Sequence, residues 1–359
     1  MCIQSQGAKS LDPTVNIRKG RSQSLHADAD NMGKTNDLLN EEGHVVARMV
    51  VGSITSFSKD VLNLPNDEKI RLFITDPPYN RNFDYGDEVD DNLPEEDYKR
   101  LLLNTFTRCY EIADENASLF IIHYTEAIAK IYNEIIDIGW SFRQFIPWVY
   151  SSNTGHSENK WTTSHRMILW LTKGEPHFFS RGVMQNFKNP TANSVKEKKA
   201  EGITGVALYD WWEIQQVKNV NEEHSGYKNQ IPKELLRRII LCASKPGDWV
   251  ADPFSGTYST VKTALKHGRK GWGCDLSSLT VKYWPSIDSW TPRTEDPILP
   301  NVDASGIDQI LEFITKEHFE RAVLNLIKTA SMEELVKAIG KKNGPRIWNA
   351  FHQKPSREK

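Results

Sequence analysis

The feature that most constrains the fold of this chain is an apolar run that stops abruptly at an acid, two prolines and an aromatic residue. Residues 72–74 are Leu-Phe-Ile, and such a run without polar alternation is typical of a strand buried on both faces. Because proline has no backbone N–H to donate to a neighbouring strand, Pro77 and Pro78 must end the strand. The pattern predicts that Asp76 and Tyr79 lie at the carboxyl end of a sheet strand, where open α/β sheets bind their ligands.

A second stretch, residues 249–260, has the same layout of strand, acid and turn. The strand ends at Asp252, a turn containing Gly256 follows, and a helix is predicted to begin at Thr260. Glycine at this point allows the backbone to approach a ligand closely. The next predicted strand ends at Asp275, an acid that can accept both hydroxyls of a ribose. This layout is typical of a site for a cofactor that carries adenosine.

Strand and helix patterns alternate around these two stretches, which predicts an α/β fold with a parallel sheet. Strands are predicted at residues 44–52, 71–75, 117–123, 141–150, 167–171, 249–252 and 271–275. Helices are predicted at residues 58–64, 95–113, 127–138, 231–243 and 260–267.

Changes in composition along the chain predict its division into domains. Residues 1–40 are polar and predict a disordered or loosely attached tail. The folded domain is expected at residues 41–290, interrupted by an irregular insertion at about residues 173–226. A proline-rich linker precedes a helical C-terminal region at residues 300–359, in which residues 339–347 resemble a helix–hairpin–helix that binds nucleic-acid backbone.

The overall composition is that of a folded protein without membrane-spanning segments. Hydrophobic residues make up 38% of the chain, charged residues 26%, and the formal net charge is −2. No apolar run approaches the ~20 residues that cross a bilayer, and the N-terminus lacks the apolar core of a signal peptide. The four cysteines have no metal-ligand spacing, which predicts reduced thiols and no metal site. We therefore expect a cytoplasmic protein.

The glycine turn is unsuited to a cofactor with a pyrophosphate. A dinucleotide site requires G-x-G-x-x-G and a nucleotide-binding loop requires G-x-x-x-x-G-K-[ST], and neither pattern is present here. Gly256 stands alone and Asp252 precedes it. An acid at that position would repel phosphate but would suit a cofactor with a sulfonium group, which favours S-adenosylmethionine over NAD or ATP.

Two motifs resemble those of the amino-methylating DNA methyltransferases. Residues 76–79 resemble the catalytic D-P-P-Y motif of that family, and residues 252–257 resemble its cofactor motif, D-P-F-x-G-x-G-T. With the catalytic motif first, the order resembles that of the β class, in which the target-recognition region lies between the two motifs. The resemblance covers about residues 45–285 and departs from the family pattern at Tyr258, which replaces the second glycine of the cofactor motif.

The resemblance implies a Rossmann-like, S-adenosylmethionine-dependent methyltransferase sheet with helices on both faces and a target-recognition segment within residues 173–226. The catalytic residues that it implies are Asp76, Pro77, Pro78 and Tyr79. The implied cofactor-binding residues are Asp252, Pro253, Phe254, Gly256, Thr257 and Asp275. Gln230 joins them because residues 229–232 resemble the H-P-T-Q-K-P segment that precedes the cofactor strand in the family.

The implied reaction transfers the methyl group of S-adenosylmethionine to the N6 amine of an adenine flipped out of double-stranded DNA. The Asp76 carboxylate and the Pro77 carbonyl would each accept an N–H of that amine, and Tyr79 would stack on the base. Cytosine N4 is the nearest alternative, although Asp at the first motif position favours adenine in the family and Ser favours cytosine. RNA as substrate, a non-catalytic DNA-binding protein with a decayed cofactor site, and a scaffold protein are further alternatives.

The implied partner is double-stranded DNA, with a cognate restriction endonuclease if the chain belongs to a restriction–modification system rather than acting as an orphan methylase. A monomer or a homodimer is expected. Three features stay open. Residues 165–166 contact DNA or form a surface or satisfied pair, and residues 209–212 line the target base or belong to the core. Residues 196–199 contact phosphates or form a solvated face.

Overall fold

The computed structural model describes residues 35–57, 64–83, 91–151, 158–200, 203, 205–217, 225 and 229–290. The N-terminal 34 residues, nearly all of the helix predicted at residues 58–64, and the predicted C-terminal helical region with its hairpin motif lie outside the described residues. Within the described part of the chain, helices pack on both sides of one large mixed sheet, as the α/β fold class predicts.

The large sheet has nine strands in the order β1-β2-β11-β10-β3-β4-β6-β5-β9, and β7 and β8 form a separate two-stranded sheet. The strands are β1 (Thr35–Leu39), β2 (Val45–Val51), β3 (Ile70–Thr75), β4 (Ala113–His123), β5 (Ser141–Val149), β6 (His165–Lys173), β7 (Met184–Gln185), β8 (Val206–Ala207), β9 (Trp212–Glu213), β10 (Trp249–Asp252) and β11 (Lys270–Asp275). The helices are α1 (Glu95–Ile112), α2 (Thr125–Ile138), α3 (Asn193–Ala200), α4 (Lys233–Ala243) and α5 (Ser259–Lys266).

The expected parallel sheet is correct for the centre and wrong at two places. Strands β2, β11, β10, β3 and β4 are parallel neighbours, whereas β6 runs antiparallel to both β4 and β5. Parallel neighbours need a long crossover, whereas consecutive strands such as β5 and β6 can pair antiparallel. The polar tail was expected to reach residue 40, but Thr35–Leu39 pair antiparallel with β2, where Asp37 forms an ion pair with Arg48.

The residues of β3 show why this strand is buried on both faces. Phe73 packs in the cluster that α1 and α2 cover, whereas its neighbours Leu72 and Ile74 pack in the cluster that α4 covers, and all three are fully buried. Successive side chains of a strand point to opposite faces, so a continuous apolar run is needed here.

The order in which the chain adds strands reverses between the parallel neighbours β10 and β3, and this switch point positions the site. From β3 the chain continues to β4 on one side, and from β10 it continues to β11 on the other side. Helices diverge from such a switch point and leave a crevice at the carboxyl ends of the two strands. Asp76 follows β3 and Asp252 ends β10, so both acids lie at this crevice.

Two further observations concern the described residues only. No helix among them combines the length and the apolar character needed to cross a membrane. Cys109, Cys242 and Cys274 are buried and unbridged, as the scattered cysteine positions predict.

Candidate active site

Asp76 begins the catalytic turn, and its carboxylate is engaged by a side chain of the same turn. The Tyr79 hydroxyl lies 2.6 Å from one carboxylate oxygen of Asp76 and 2.8 Å from the other, and it can donate to either. Burial raises the pKa of Asp76 to about 7, against the opposing effects of the Arg166 charge and the Tyr79 hydrogen bond. Asp76 can therefore gain or lose a proton near neutral pH. Its hydrogen-bond donor is the Tyr79 hydroxyl, which a donor group of a substrate could replace.

The backbone of the same turn is fixed by a chain of hydrogen bonds from β4. The Tyr98 hydroxyl donates to the Pro78 carbonyl at 2.6 Å and lies 2.6 Å from Nε2 of His123. Nδ1 of His123 accepts the backbone N–H of Tyr124, so the neutral ring carries its proton on Nε2 and donates to Tyr98. Burial, aided by the nearby Arg166 charge, lowers the pKa of His123 to about 3, so the imidazole ring stays neutral at ordinary pH.

The loop that follows the turn is closed at its base by Asn80 and Asp91. The Asp91 carboxylate accepts the backbone N–H groups of Asn80, Arg81 and Phe83 at 2.9, 3.1 and 3.0 Å. The Asn80 side chain accepts the backbone N–H of Leu93 and donates to its carbonyl, and Asn80 itself has a left-handed backbone with a φ of 54°. The two side chains fix both ends of a loop whose residues 84–90 lie outside the described part.

Asp252, by contrast, uses its carboxylate to build its own turn. One oxygen accepts the Thr260 hydroxyl at 2.8 Å and the other accepts the Phe254 backbone N–H at 3.1 Å. Burial raises the pKa of Asp252 to about 7, and the negative charges of Asp76 and Asp275 act in the same direction. The predicted electrostatic attraction to a sulfonium is compatible with this position, but both oxygens already have donors within the protein.

Asp275 joins the glycine turn to the end of β11. Its carboxylate accepts the backbone N–H of Gly256 at 2.7 Å and that of Ser277 at 3.0 Å, and Gly256 has the positive φ of 48° that glycine permits. Leu276, the next residue, is 51% exposed. An acid at the crevice with an exposed apolar side chain beside it suits a ribose and the face of an adenine. A role of Asp275 in holding a ribose stays a prediction, and Leu276 was not predicted from the sequence.

Tyr258 was the departure that cast doubt on the cofactor turn, and the structure shows how the turn accommodates it. Tyr258 has a φ of 56°, the left-handed conformation that a glycine would adopt there, and its side chain is fully buried. The ring packs edge-on against Trp284 at 5.1 Å and lies so close to Gly273 that a Cβ there would be 3.0 Å away. The tyrosine therefore fills the space under the turn, while its backbone adopts the left-handed conformation that a glycine would take there.

The other predicted cofactor residues lie in or near this turn. Pro253 accepts the Cys274 thiol at 3.3 Å through its carbonyl, the Thr257 hydroxyl lies 2.7 Å from that of Ser259, and Phe254 is half-buried. Gln230 precedes α4, and its side-chain oxygen accepts the backbone N–H and the hydroxyl of Ser225. That these residues bind the cofactor remains a prediction.

The open features of the sequence have mixed outcomes. For residues 165–166 the alternatives were contact with DNA or a surface or satisfied pair, and Arg166 is only 4% exposed, which excludes a surface position for it. Trp212 is buried, whereas Tyr209 and Trp211 are more than 40% exposed, with the Lys188 amine 5.4 and 5.5 Å from their ring centroids. The segment that was predicted to recognise DNA thus presents aromatic rings and a cation to solvent.

Known proteins are similar to this chain in sequence and in architecture. The sequence model of a family described as DNA methylase matches residues 70–284. The Type II methyltransferase M.HpaI of Haemophilus parainfluenzae is 30% identical over 213 residues, which make up 59% of this chain and 65% of that protein. The DNA adenine methyltransferase YhdJ of Escherichia coli is 26% identical over 231 residues, covering 60% of this chain and 74% of that protein. The cytosine-N4-specific PvuII DNA methyltransferase superposes with a TM-score of 0.50 at 15% identity, covering 79% of this chain and 95% of that one.

The sheet order, with two acidic turns at its switch point, gives this chain the Rossmann-like fold of the PvuII DNA methyltransferase, as the sequence predicted. Because the family match extends over more than half of the sequence, the chain belongs to the DNA methylase family. The chain spans just under two thirds of the length of M.HpaI.

Proposed function

We propose that this protein transfers a methyl group from S-adenosylmethionine to the N6 amine of an adenine that is flipped out of double-stranded DNA. The observation that carries the proposal is the state of Asp76. Its two oxygens accept from a single hydroxyl, that of Tyr79, at the crevice between β3 and β10. An amine that enters the crevice can replace this hydroxyl without breaking any backbone hydrogen bond.

The turn offers a second acceptor for the same amine. Tyr98 occupies the Pro78 carbonyl, whereas among the described residues none donates to the Pro77 carbonyl. Asp76 and Pro77 can therefore each accept one N–H. Two such bonds turn the amine nitrogen toward a tetrahedral geometry and free its lone pair, and this orientation supplies much of the rate.

The cofactor residues have a different task. Asp275 and Leu276 would hold the adenosine, and the turn around Gly256 would place it beside Asp76. When bound, S-adenosylmethionine would supply an electrophilic methyl carbon, with a neutral thioether as the leaving group. The methylated nitrogen then loses a proton, and Asp76, with its pKa of about 7, can accept that proton and pass it to water.

Adenine is proposed over cytosine because the first motif residue is Asp76 and because one relative is described as a DNA adenine methyltransferase. The ring of Tyr79 is the proposed stacking surface. Arg166 lies over one face of this ring at 4.6 Å, so a base can stack only on the opposite face. Stacking there would offset part of the cost of extracting the base, which is a few kcal/mol.

The test is a methyl-transfer assay with product analysis. The full-length protein is incubated with unmethylated double-stranded DNA and methyl-labelled S-adenosylmethionine, and the DNA is digested to nucleosides and analysed by mass spectrometry. We expect labelled N6-methyladenine, and none with Asp76→Ala. Labelled N4-methylcytosine would show that the target base is cytosine and would contradict the choice of adenine. An absence of label from DNA, with label in an RNA control, would contradict the choice of substrate.

The proposal also includes a cognate restriction endonuclease as a partner, with this protein as the modification enzyme. Several relatives are described as Type II methyltransferases, which supports a modification role at one DNA sequence. Sequencing of DNA from cells that express the protein, with detection of modified bases, should give a single methylated motif. Methylation at many unrelated sequences would contradict a site-specific role.

A further inference from the structure

Arg166 is a buried cation that no hydrogen bond holds among the described residues. It is the second residue of β6, is 4% exposed, and its Nε is buried without a partner in the described part of the chain. Such a group loses its contact with water and gains no acceptor in return, which folded proteins rarely tolerate without a reason.

Arg269 shows how the same protein buries an arginine for structure. It is fully buried, and its guanidinium donates to the Ser244 hydroxyl at 3.0 Å, to the Ser244 carbonyl at 2.7 Å and to the His267 carbonyl at 2.6 Å. Arg269 precedes β11 and therefore lies at the amino-terminal edge of the parallel strands, away from the crevice. Since Arg166 lacks such bonds, holding the backbone does not account for its burial.

What surrounds Arg166 is a cage of aromatic rings. Its guanidinium carbon lies 4.6 Å from the ring centroid of Tyr79, 5.0 Å from Tyr124, 5.6 Å from Trp148 and 5.8 Å from Tyr150. Cations are attracted to the faces of aromatic rings within about 6 Å, and more strongly where water is excluded. The cage therefore replaces the missing hydrogen bonds and places a positive charge directly behind the catalytic tyrosine.

The Arg166 charge also acts on Asp76. Arg166 lies over the face of the Tyr79 ring, and the hydroxyl of the same tyrosine donates to the Asp76 carboxylate. Arg166 lowers the pKa of Asp76, opposing the desolvation that raises it. The other titratable or charged groups that face this pair from the surrounding elements are Tyr79, Arg81, His123, Tyr124, Tyr150 and Asp252. Burial holds His123 neutral, so Arg166 is the buried cation among them.

We propose that Arg166 is a positioning residue for methyl transfer, which holds the Tyr79 ring by one face and keeps Asp76 a carboxylate that can accept an amine N–H. The inference rests on the proposed function. A protonated Asp76 would carry an O–H on one oxygen and compete with the amine as a donor. Because the cage encloses Arg166, it acts on the substrate only through Tyr79 and Asp76.

The pH dependence of catalysis tests this role. For Arg166→Met and Arg166→Gln, we expect the acidic limb of kcat/KM to move to higher pH by about one unit or more, because the pKa of Asp76 rises when the charge is lost. Activity at pH 7 should fall about five-fold or more and recover in part as the pH is raised. Arg166→Lys keeps the charge, so its acidic limb should stay near that of the unmodified protein.

Arg269→Lys is the matched control, because it alters a buried arginine that is bound to the backbone. We expect it to lower the melting temperature and to leave the acidic limb in place. Cofactor affinity, measured by calorimetry, should stay within about three-fold of the unmodified protein in the Arg166 variants, because no contact of Arg166 involves the glycine turn.

Two results would overturn the inference. One is an unchanged acidic limb in Arg166→Met and Arg166→Gln, and the other is a failure of both variants to fold while Arg166→Lys folds with a shifted limb. If the unmodified protein methylates no DNA, the proposed function fails, but the effect of the Arg166 charge on the pKa of Asp76 can still be measured. Carbon-13 NMR of aspartate-labelled protein, with the Asp76 signal assigned by Asp76→Asn, should then show Asp76 titrating at higher pH in Arg166→Gln.

Discussion

Asp76 follows β3 and Asp252 ends the neighbouring strand β10, and burial raises the pKa of each carboxyl to about 7. Their hydrogen bonds differ. Asp252 accepts a backbone N–H and a helix hydroxyl, whereas Asp76 accepts only the hydroxyl of a nearby tyrosine among the described residues. The Asp252 carboxylate holds its turn in shape, whereas the Asp76 carboxylate has a donor that a substrate can replace. Similar burial and similar acidity therefore do not imply a similar role.

The largest expected effect separates the two acids in catalysis. Asp76→Asn introduces an amide that donates where the substrate amine must donate, so we expect kcat to fall by about 10³-fold, a loss typical for a polar group that acts on the transition state. Cofactor affinity and melting temperature should change little. In Asp252→Asn, activity at saturating cofactor should remain measurable, while cofactor affinity falls.

Single-turnover methyl transfer and calorimetry with S-adenosylmethionine measure the two effects. Comparable losses of kcat in both variants would show that the two acids act as one catalytic unit. Full activity in Asp76→Asn would remove the acceptor role that the comparison assigns to Asp76.

The next effect concerns stability and its dependence on pH. Each raised pKa means that the folded protein retains a proton that the unfolded chain, with an aspartate pKa of about 3.9, has released. This contribution to stability is complete at low pH and is lost as the pH rises through the folded pKa. The unfolding free energy of Asp76→Asn minus that of the unmodified protein should therefore increase between about pH 4 and pH 7, by up to ~1.4 kcal/mol per pH unit.

Asp252→Asn provides the contrast. It should show the same rise relative to the unmodified protein, but from a starting point lower by ~1–3 kcal/mol. An amide has one acceptor oxygen where the carboxylate has two, so the Phe254 N–H and the Thr260 hydroxyl can no longer both donate to residue 252. Urea denaturation at a series of pH values measures both variants. Reporting differences from the unmodified protein cancels the histidines, since burial lowers the pKa of His123 and His177 and gives a dependence of opposite sign. A constant difference between pH 4 and pH 7 would contradict the raised pKa of Asp76.

The sequence was sufficient to predict both turns because each depends on local chemistry. Prolines after Asp76 and a glycine after Asp252 end the strands whatever the rest of the chain does. The antiparallel direction of β6 and the edge strand β1 depend instead on partners distant in sequence. The cluster around Tyr79 also escaped prediction, since Tyr98, His123 and Arg166 come from three separate elements and no spacing relates them. Leu276 was missed because a single exposed leucine has no pattern.

A smaller effect is expected from the hydrogen bonds that fix the backbone of the Asp76 turn. Tyr98→Phe removes the hydroxyl that joins His123 to the Pro78 carbonyl, while the ring stays. We expect kcat to fall about ten-fold, because a slight displacement of the turn misplaces both acceptors, and the unfolding free energy to fall by ~1 kcal/mol. Tyr110→Phe is the control on the same helix. Its hydroxyl has no hydrogen bond among the described residues, so its kinetics should be unchanged.

The smallest effect concerns the hydroxyl that caps Asp76. Tyr79→Phe keeps the ring for stacking and removes the donor, so Asp76 meets the amine without a competitor. The same loss raises the pKa of Asp76, because the hydrogen bond had stabilised the carboxylate. We therefore expect a decrease of less than about five-fold in kcat/KM near neutral pH that disappears above about pH 8.5, where Asp76 is ionised in both proteins.

Tyr79→Ala separates the ring from the hydroxyl. It removes the stacking surface and one wall of the cage around Arg166, so a loss of about 10²-fold at every pH is expected, from a base stacking contribution of ~1–3 kcal/mol together with a looser Asp76. A pH–rate profile of the three proteins distinguishes the two functions. If Tyr79→Phe were as inactive as Tyr79→Ala, the hydroxyl would be required during transfer, and Asp76 would then resemble Asp252 in depending on a donor from its own turn.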